Sequence, residues 1–182
     1  MIQLYVFCTV ILIVGMVFYV LHTKLHRVKR KIALSEHHFS RLVQLAERSL
    51  GSLDVPVGTI LLYQGEIIGE GYNTVLHHVK AGEHAEINAI SDALEKIGFE
   101  KFSSLDRSSL VLISTFEPCM MCAGAFINYN IQHVYFMKEK DILYTGKEEV
   151  RFVRYLVNRY QIKNRNEQDA LFKRHPKYPL GK

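Results

Sequence analysis

Two short clusters carry residue types from which metal-assisted hydrolysis can be built. In Glu117-Pro118-Cys119-Met120-Met121-Cys122 the cysteines are three positions apart. A helix of about 3.6 residues per turn would set both sulfurs on one face, where they can share a metal. A helix amino terminus at this point favours thiolates, because unpaired amide N–H groups and the helix dipole stabilise negative charge, and Pro118 suits the entry to a first turn. The second cluster is His84-Ala85-Glu86. Zinc needs more than two thiolates, and a histidine from another element completes three protein ligands while leaving the fourth position to water. Water held there is acidified enough to supply hydroxide near neutral pH, and it then needs a carboxylate beside it to accept and redeliver protons, a role that suits Glu86 better than ligation. Residues i and i+2 of an ideal helix diverge by about 200°, so His84 must sit at or just before the first turn for both side chains to reach one cavity.

Each cluster alone admits another reading. A Cys-x-x-Cys pair can be a redox pair of the thioredoxin type, or half of a closed structural zinc site. Closing such a site would require His77, His78, His133 or His175, since the remaining cysteine, Cys8, lies in a separate apolar run. His84 alone reads as a capping or surface histidine. The conjunction of the two clusters, each at a helix start with a strand between them, favours the open catalytic site over either alternative.

The elements that must position these residues follow from periodicity. Ser35 is a candidate N-cap for a helix carrying Phe39, Leu42, Val43, Leu45, Ala46 and Leu50 at helical spacing, ended by Gly51. Residues Gly58–Leu62 and Glu66–Tyr72 form a predicted hairpin joined around Gln64-Gly65. A second helix opens at His84 and stops at Gly98, a buried strand covers Ser109–Ser114, a third helix Cys119–Tyr129, and another strand Ile131–Met137. Further helices are expected over Glu148–Asn158 and Asn164–Lys173. Helix, hairpin, helix, strand, helix, strand implies an α/β layered fold.

A chain of 182 residues suits one domain with an appendage. Residues 2–21 contain no charged side chain, enough to cross a hydrocarbon core of about 30 Å at about 1.5 Å per residue, which predicts one transmembrane helix. No basic segment precedes the run and no small-x-small pattern ends it, which argues against a cleaved signal peptide. Lys24, Arg27, Lys29, Arg30 and Lys31 follow without an acid, a pattern that places the remainder on the cytoplasmic side. The expected organisation is an anchor at 1–22, a basic linker at 23–33, a catalytic domain at 34–160 and a basic tail at 161–182. The net charge of +5 is uneven: residues 24–31 carry +5 and residues 161–182 carry +4, leaving 32–160 at −4. The basic excess therefore lies outside the expected catalytic body, and contact with anionic lipid explains it as well as RNA binding does.

Val55-Pro56-Val57-Gly58, Gly71-Tyr72-Asn73, His84-Ala85-Glu86-Ile87-Asn88-Ala89 and Glu117-Pro118-Cys119-Met120-Met121-Cys122-Ala123-Gly124-Ala125 resemble the cytidine deaminase-like superfamily over roughly residues 35–140, and most of all its tRNA adenosine deaminase branch. His-x-Glu followed by Pro-Cys-x-x-Cys is the signature of zinc nucleobase deaminases. The resemblance implies a three-layer α/β/α fold with a mixed central sheet, to which the apolar run would add the amino-terminal transmembrane helix. It implies His84, Cys119 and Cys122 as zinc ligands, Glu86 as proton shuttle and Asn73 as a polar contact to the substrate. The implied reaction is attack of zinc-bound hydroxide on the amine-bearing ring carbon of a base that is free, in a nucleoside or nucleotide, or in tRNA. A homodimer is the implied assembly, with membrane contact through residues 2–21. The competing expectation is a catalytically inactive zinc-binding module anchored to a membrane.

Overall fold

Small residues set the closest approach in this fold. In the computed structural model, which describes residues 10–19, 34–158 and 174, strand β1 (Gly58–Tyr63) pairs antiparallel with β2 (Glu66–Tyr72) and with β3 (Leu110–Phe116), and β3 pairs parallel with β4 (His133–Lys138). The sheet is mixed, in the order β2-β1-β3-β4. Gln64 and Gly65, both at positive φ (53° and 89°), turn the β1–β2 hairpin, the backbone twist that two-residue hairpin turns prefer. The register slips between Leu61 and Leu62.

Successive β1 side chains point to opposite faces of the sheet. Ile60 and Leu62 join Leu42 and Leu45 of helix α2 (Glu36–Leu50) and Ile113 in one cluster. Leu61 joins Ile90 and Ala93 of α4 (Ala85–Ile97), Phe102 of α5 (Phe99–Ser104) and Phe126 of α6 (Met120–Asn128) in the other. Helices thus cover both faces, giving an α/β architecture in three layers. Ser35 caps α2 by accepting from the His38 amide, and Gly98 ends α4 at φ 79°.

On β2 the glycines at 69 and 71 face α4. A Cβ on Gly71 would collide with the Ala85 carbonyl oxygen and the Ala89 amide nitrogen, and one on Gly69 would lie 2.8 Å from the Ala93 Cβ. Because the obstacles at Gly71 are backbone atoms, neither side can yield cheaply. On the opposite face, Arg41 of α2 grips Glu70 through Nε and Nη2 at 2.7 and 2.6 Å, a two-point pairing that fixes orientation as well as charge.

Two helices have no counterpart in the sequence reading: α3 (Val75–His78) and α5, with a 3-10 turn at Arg107–Ser109. Helix α7 runs Ile142–Val157, beginning six positions before the expected helix at Glu148. The helix expected over Asn164–Lys173 lies outside the described residues. By packing, the chain divides into residues 1–148, with the sheet and helices α2 to α6, and residues 149–182, whose described part is mainly the end of α7.

The expected transmembrane helix over residues 2–21 is corrected. Of this run the structure describes residues 10–19, which are helical and form α1. Among the described residues no helix is long and apolar enough to cross a membrane. The same finding overturns the single-pass membrane localisation with a cytoplasmic catalytic domain, and the membrane contact assigned to residues 2–21.

Gly71→Ala is expected to cost about 1–3 kcal/mol or more from overpacking, read as a fall in the urea midpoint; an unchanged midpoint would show that the two backbones do not meet. Glu70 has its acidity held below the ordinary carboxylate range, chiefly by the hydrogen bond from Arg41. A carboxylate depressed in the folded state stabilises fully above its unfolded pKa of about 4.3, and this contribution disappears as pH falls through the lower folded value. Glu70→Gln should accordingly flatten the acid limb of the stability–pH curve below about pH 4.3.

Candidate functional site

Helix α4 begins at Ala85, and His84 is its N-cap, in extended conformation at φ −71° and ψ 153°. The residue before the first turn is not bound by helical angular spacing, so the imidazole and the Glu86 carboxyl are free to face the same cavity. Cys119 is likewise an extended N-cap, at φ −82° and ψ 172°, and Cys122 lies on the first turn of α6. The site therefore stands where two helix amino termini meet, one following the hairpin and the other following β3.

His84, Cys119 and Cys122 converge. His84 Nδ1 lies 3.6 Å from Cys119 Sγ and 3.7 Å from Cys122 Sγ, and the two sulfurs are 3.6 Å apart. These are the three residues among the described ones whose donor atoms group closely enough to hold a metal ion. Tetrahedral zinc with Zn–S of about 2.3 Å and Zn–N of about 2.0–2.1 Å requires sulfurs about 3.8 Å apart and sulfur–nitrogen separations of about 3.6 Å. The observed triangle matches within a few tenths of an ångström. Imidazole with two thiols is also the donor chemistry that zinc takes.

The electrostatics call for a cation. Hydrogen bonding between the two sulfurs holds Cys119 down to about 3, with a further contribution from His84. Cys122 is pushed up by the same pairing, by burial and by the nearby Glu86 charge. One thiolate is thus accommodated by the protein alone and a second is opposed, a conflict that a metal between the donors removes. His84 is raised first by its hydrogen bond to Cys119. Burial raises Glu86, which is 4% exposed and within hydrogen-bonding reach of Cys122.

A cavity of about 320 Å³ opens beside these groups, walled by Val57, Leu76 and Phe116 and reached by Asn73, Glu86 and Cys119. Asn73 is 7% exposed. Its Nδ2 donates to the Val55 carbonyl at 3.3 Å, while Oδ1 has no partner among the described residues. Burying an amide oxygen without a partner is costly, and in a cavity wall such an oxygen is an acceptor available to a ligand.

Several supporting residues gave no signal in the sequence. Asn88 donates through Nδ2 to the Tyr72 carbonyl at 2.8 Å and to Thr74 Oγ1 at 2.9 Å, which ties the segment after β2 to the helix carrying Glu86. Asp54 caps α3 by accepting from the Leu76 and His77 amides. Glu83 binds Thr74, His78 and Lys80 immediately before His84. His77 and His78 lie on α3 and His133 opens β4, and none of them joins the donor group. His175 lies outside the described residues. Asp54 and Glu83 are loop polar groups with no periodicity to betray them.

Comparison with known proteins agrees with this geometry. The family described as "Cytidine and deoxycytidylate deaminase zinc-binding region" matches residues 33–138, more than half of the chain, and the protein belongs to that family, whose metal is zinc. It is 39% identical over 83 residues to tRNA-specific adenosine deaminase 2 of Xenopus laevis, covering 45% of this chain and 47% of that protein. It is 41% identical over 83 residues to tRNA-specific adenosine deaminase of Buchnera aphidicola subsp. Schizaphis graminum, covering 46% of this chain and 52% of that protein. The chain thus spans about half the length of these relatives. Among solved structures, one from a study of tRNA:A34 deaminases superposes with a TM-score of 0.51 at 28% identity, over 58% of this chain and 77% of that one. Guanine deaminase from Bacillus subtilis shares the fold, with a TM-score of 0.60 at 24% identity over 81% of this chain and 100% of that one.

Asn88→Ala removes the donor to the Tyr72 carbonyl and to the Thr74 hydroxyl, which keeps its bond to Glu83. The expected loss is about 1–3 kcal/mol of stability, with faster amide exchange in the segment between β2 and α4. Unchanged exchange there would show that Asn88 does not hold the segment.

Proposed function

We propose that the protein is a zinc-dependent hydrolytic deaminase of an amino-purine or amino-pyrimidine, with His84, Cys119 and Cys122 as metal ligands, Glu86 as proton shuttle and Asn73 as a substrate contact. The observation that carries this reading is the donor triangle of 3.6, 3.6 and 3.7 Å beside a buried carboxyl. Three ligands leave one coordination position free, as catalytic zinc sites do. When bound, zinc supplies a nucleophile from water near neutral pH.

The chain's own groups account for the remaining steps. The apolar walls enclose a flat ring, and Asn73 Oδ1 accepts a hydrogen bond from a ring or sugar donor. Glu86 takes a proton from the attacking water and delivers it to the ring nitrogen beside the amine-bearing carbon. As the C–N bond breaks, the carboxyl takes the remaining proton from the newly added hydroxyl and passes it to the departing amino group, which leaves as ammonia, while the ring carbon keeps the oxygen as a carbonyl. Burial supports this cycle, since a carboxyl whose acidity is weakened toward neutrality both gains and gives up a proton readily. The named relatives point to adenosine in tRNA as the first substrate to test, ahead of free bases, nucleosides and nucleotides. A homodimer belongs to the same reading, and α6 leaves Met120, Met121 and Ile127 exposed.

Ammonia release should be measured on adenine, guanine and cytosine as bases, nucleosides and nucleotides, and on a tRNA anticodon stem-loop. One class is expected to react. Glu86→Gln is expected to retain one zinc per chain and to lose at least about 10²-fold in rate. Full activity in that variant would remove Glu86 from the mechanism, and bound zinc with no ammonia from any substrate would indicate an inactive zinc-binding module.

A further inference from the structure

The segment Glu117-Pro118 lies between β3 and the first thiol, and it is held from outside by the end of β4. The Glu117 amide donates to the Lys138 carbonyl at 2.9 Å. Glu117 Oε2 accepts from the Lys140 amide at 2.8 Å. The Lys140 side chain then turns inward: it is 5% exposed, and Nζ donates to the Pro118 carbonyl at 2.9 Å and to Glu148 Oε2 at 2.7 Å. The ammonium lies 5.4 Å from the centre of the Tyr144 ring. Lys140 also lines the cavity into which His84, Glu86 and Cys119 face.

A buried ammonium is expensive to desolvate and persists only where its hydrogen bonds and counter-charge are supplied. Here they come from two places that the lysine thereby joins, the carbonyl immediately before the Cys119 N-cap and a carboxylate on α7. Pro118 has no amide hydrogen, so its carbonyl is the one backbone group by which this residue can be hydrogen-bonded, and Lys140 supplies that bond. The dihedral angles at 118 and 119 decide where both sulfurs point, because Cys119 is the last extended residue before α6.

We propose that Lys140 is a positioning residue for the metal ligands: through Pro118 it fixes the start of the helix that carries Cys119 and Cys122, and Glu148 fixes Lys140. The inference rests on the reading of His84, Cys119 and Cys122 as zinc ligands. Partners one bond removed from metal ligands typically contribute about 10- to 100-fold in metal affinity.

The test is zinc affinity by competition with a chromophoric chelator, together with the visible spectrum of the cobalt-substituted full chain. Lys140→Met keeps the length of the side chain and removes its donors. It is expected to weaken zinc binding about 10- to 100-fold and to shift the cobalt ligand-field bands, while Lys140→Arg recovers part of both. Affinity and spectrum unchanged in a folded Lys140→Met protein would overturn the proposal. Should that variant fail to fold, Glu148→Gln retains the lysine and is expected to weaken zinc several-fold in the same assay, with no change again overturning the proposal. A native chain whose zinc survives Cys119→Ser would overturn the ligand reading itself, a failure distinct from an unresponsive Lys140.

Discussion

The contact on which the site depends is the meeting of β2 with α4 at Gly69 and Gly71. Helices normally stand off a sheet by the depth of a side chain, but here the glycines face Ala85, Ala89 and Ala93 with no room for a Cβ at Gly71. The consequence is positional. Ala85 is the first residue of the helix, so the seam holds the residue that separates His84 from Glu86. Any standoff at this point would withdraw the imidazole from the sulfurs by a similar amount, and a displacement of one ångström would already spoil a triangle that matches zinc to a few tenths.

The second helix start is fixed differently. α6 packs through Cys122 and Phe126 into the cluster that includes Leu61, Leu110 and Leu112, so one of the sulfurs is itself part of the hydrophobic core. Cys122 is fully buried while Cys119 is only partly so, and the hydrogen bond between them drives their acidities apart. Packing thus sets one sulfur, and hydrogen bonds from β4 and Lys140 set the peptide before the other. With Glu86 buried alongside, the pocket concentrates potential negative charge where the protein alone cannot keep it all, which is the physical reason for reading the centre as a metal site.

Much of this was legible from residue types. The two helix starts, the hairpin at Gln64-Gly65 and the stop at Gly98 all carry strong local signals: N-cap position, glycine at positive φ, and apolar periodicity over three turns. The requirement that His84 sit at or just before the first turn came from helical geometry alone. Helices α3 and α5 went unseen because four and six residues contain too little periodicity to register. Lys140 was invisible for another reason: it acts on a backbone carbonyl brought near only by the fold and belongs to no spacing pattern, and the anchoring role of Asn88, though the residue lies within the His84–Ala89 motif, depends on the same kind of contact. The apolar run at 2–21 misled because hydropathy without charge is compatible with a spanning helix, whereas no helix among the described residues is long and apolar enough to cross a membrane.

Zinc K-edge absorption on the purified chain distinguishes an open centre of two sulfurs and one nitrogen from a closed one. One zinc is expected, with two sulfur scatterers at about 2.3 Å and two light-atom scatterers at about 2.0–2.1 Å, of which one is imidazole and the other exchangeable. A shell of two sulfurs and two imidazoles would describe a closed structural site, and zinc without sulfur would contradict the assignment of Cys119 and Cys122.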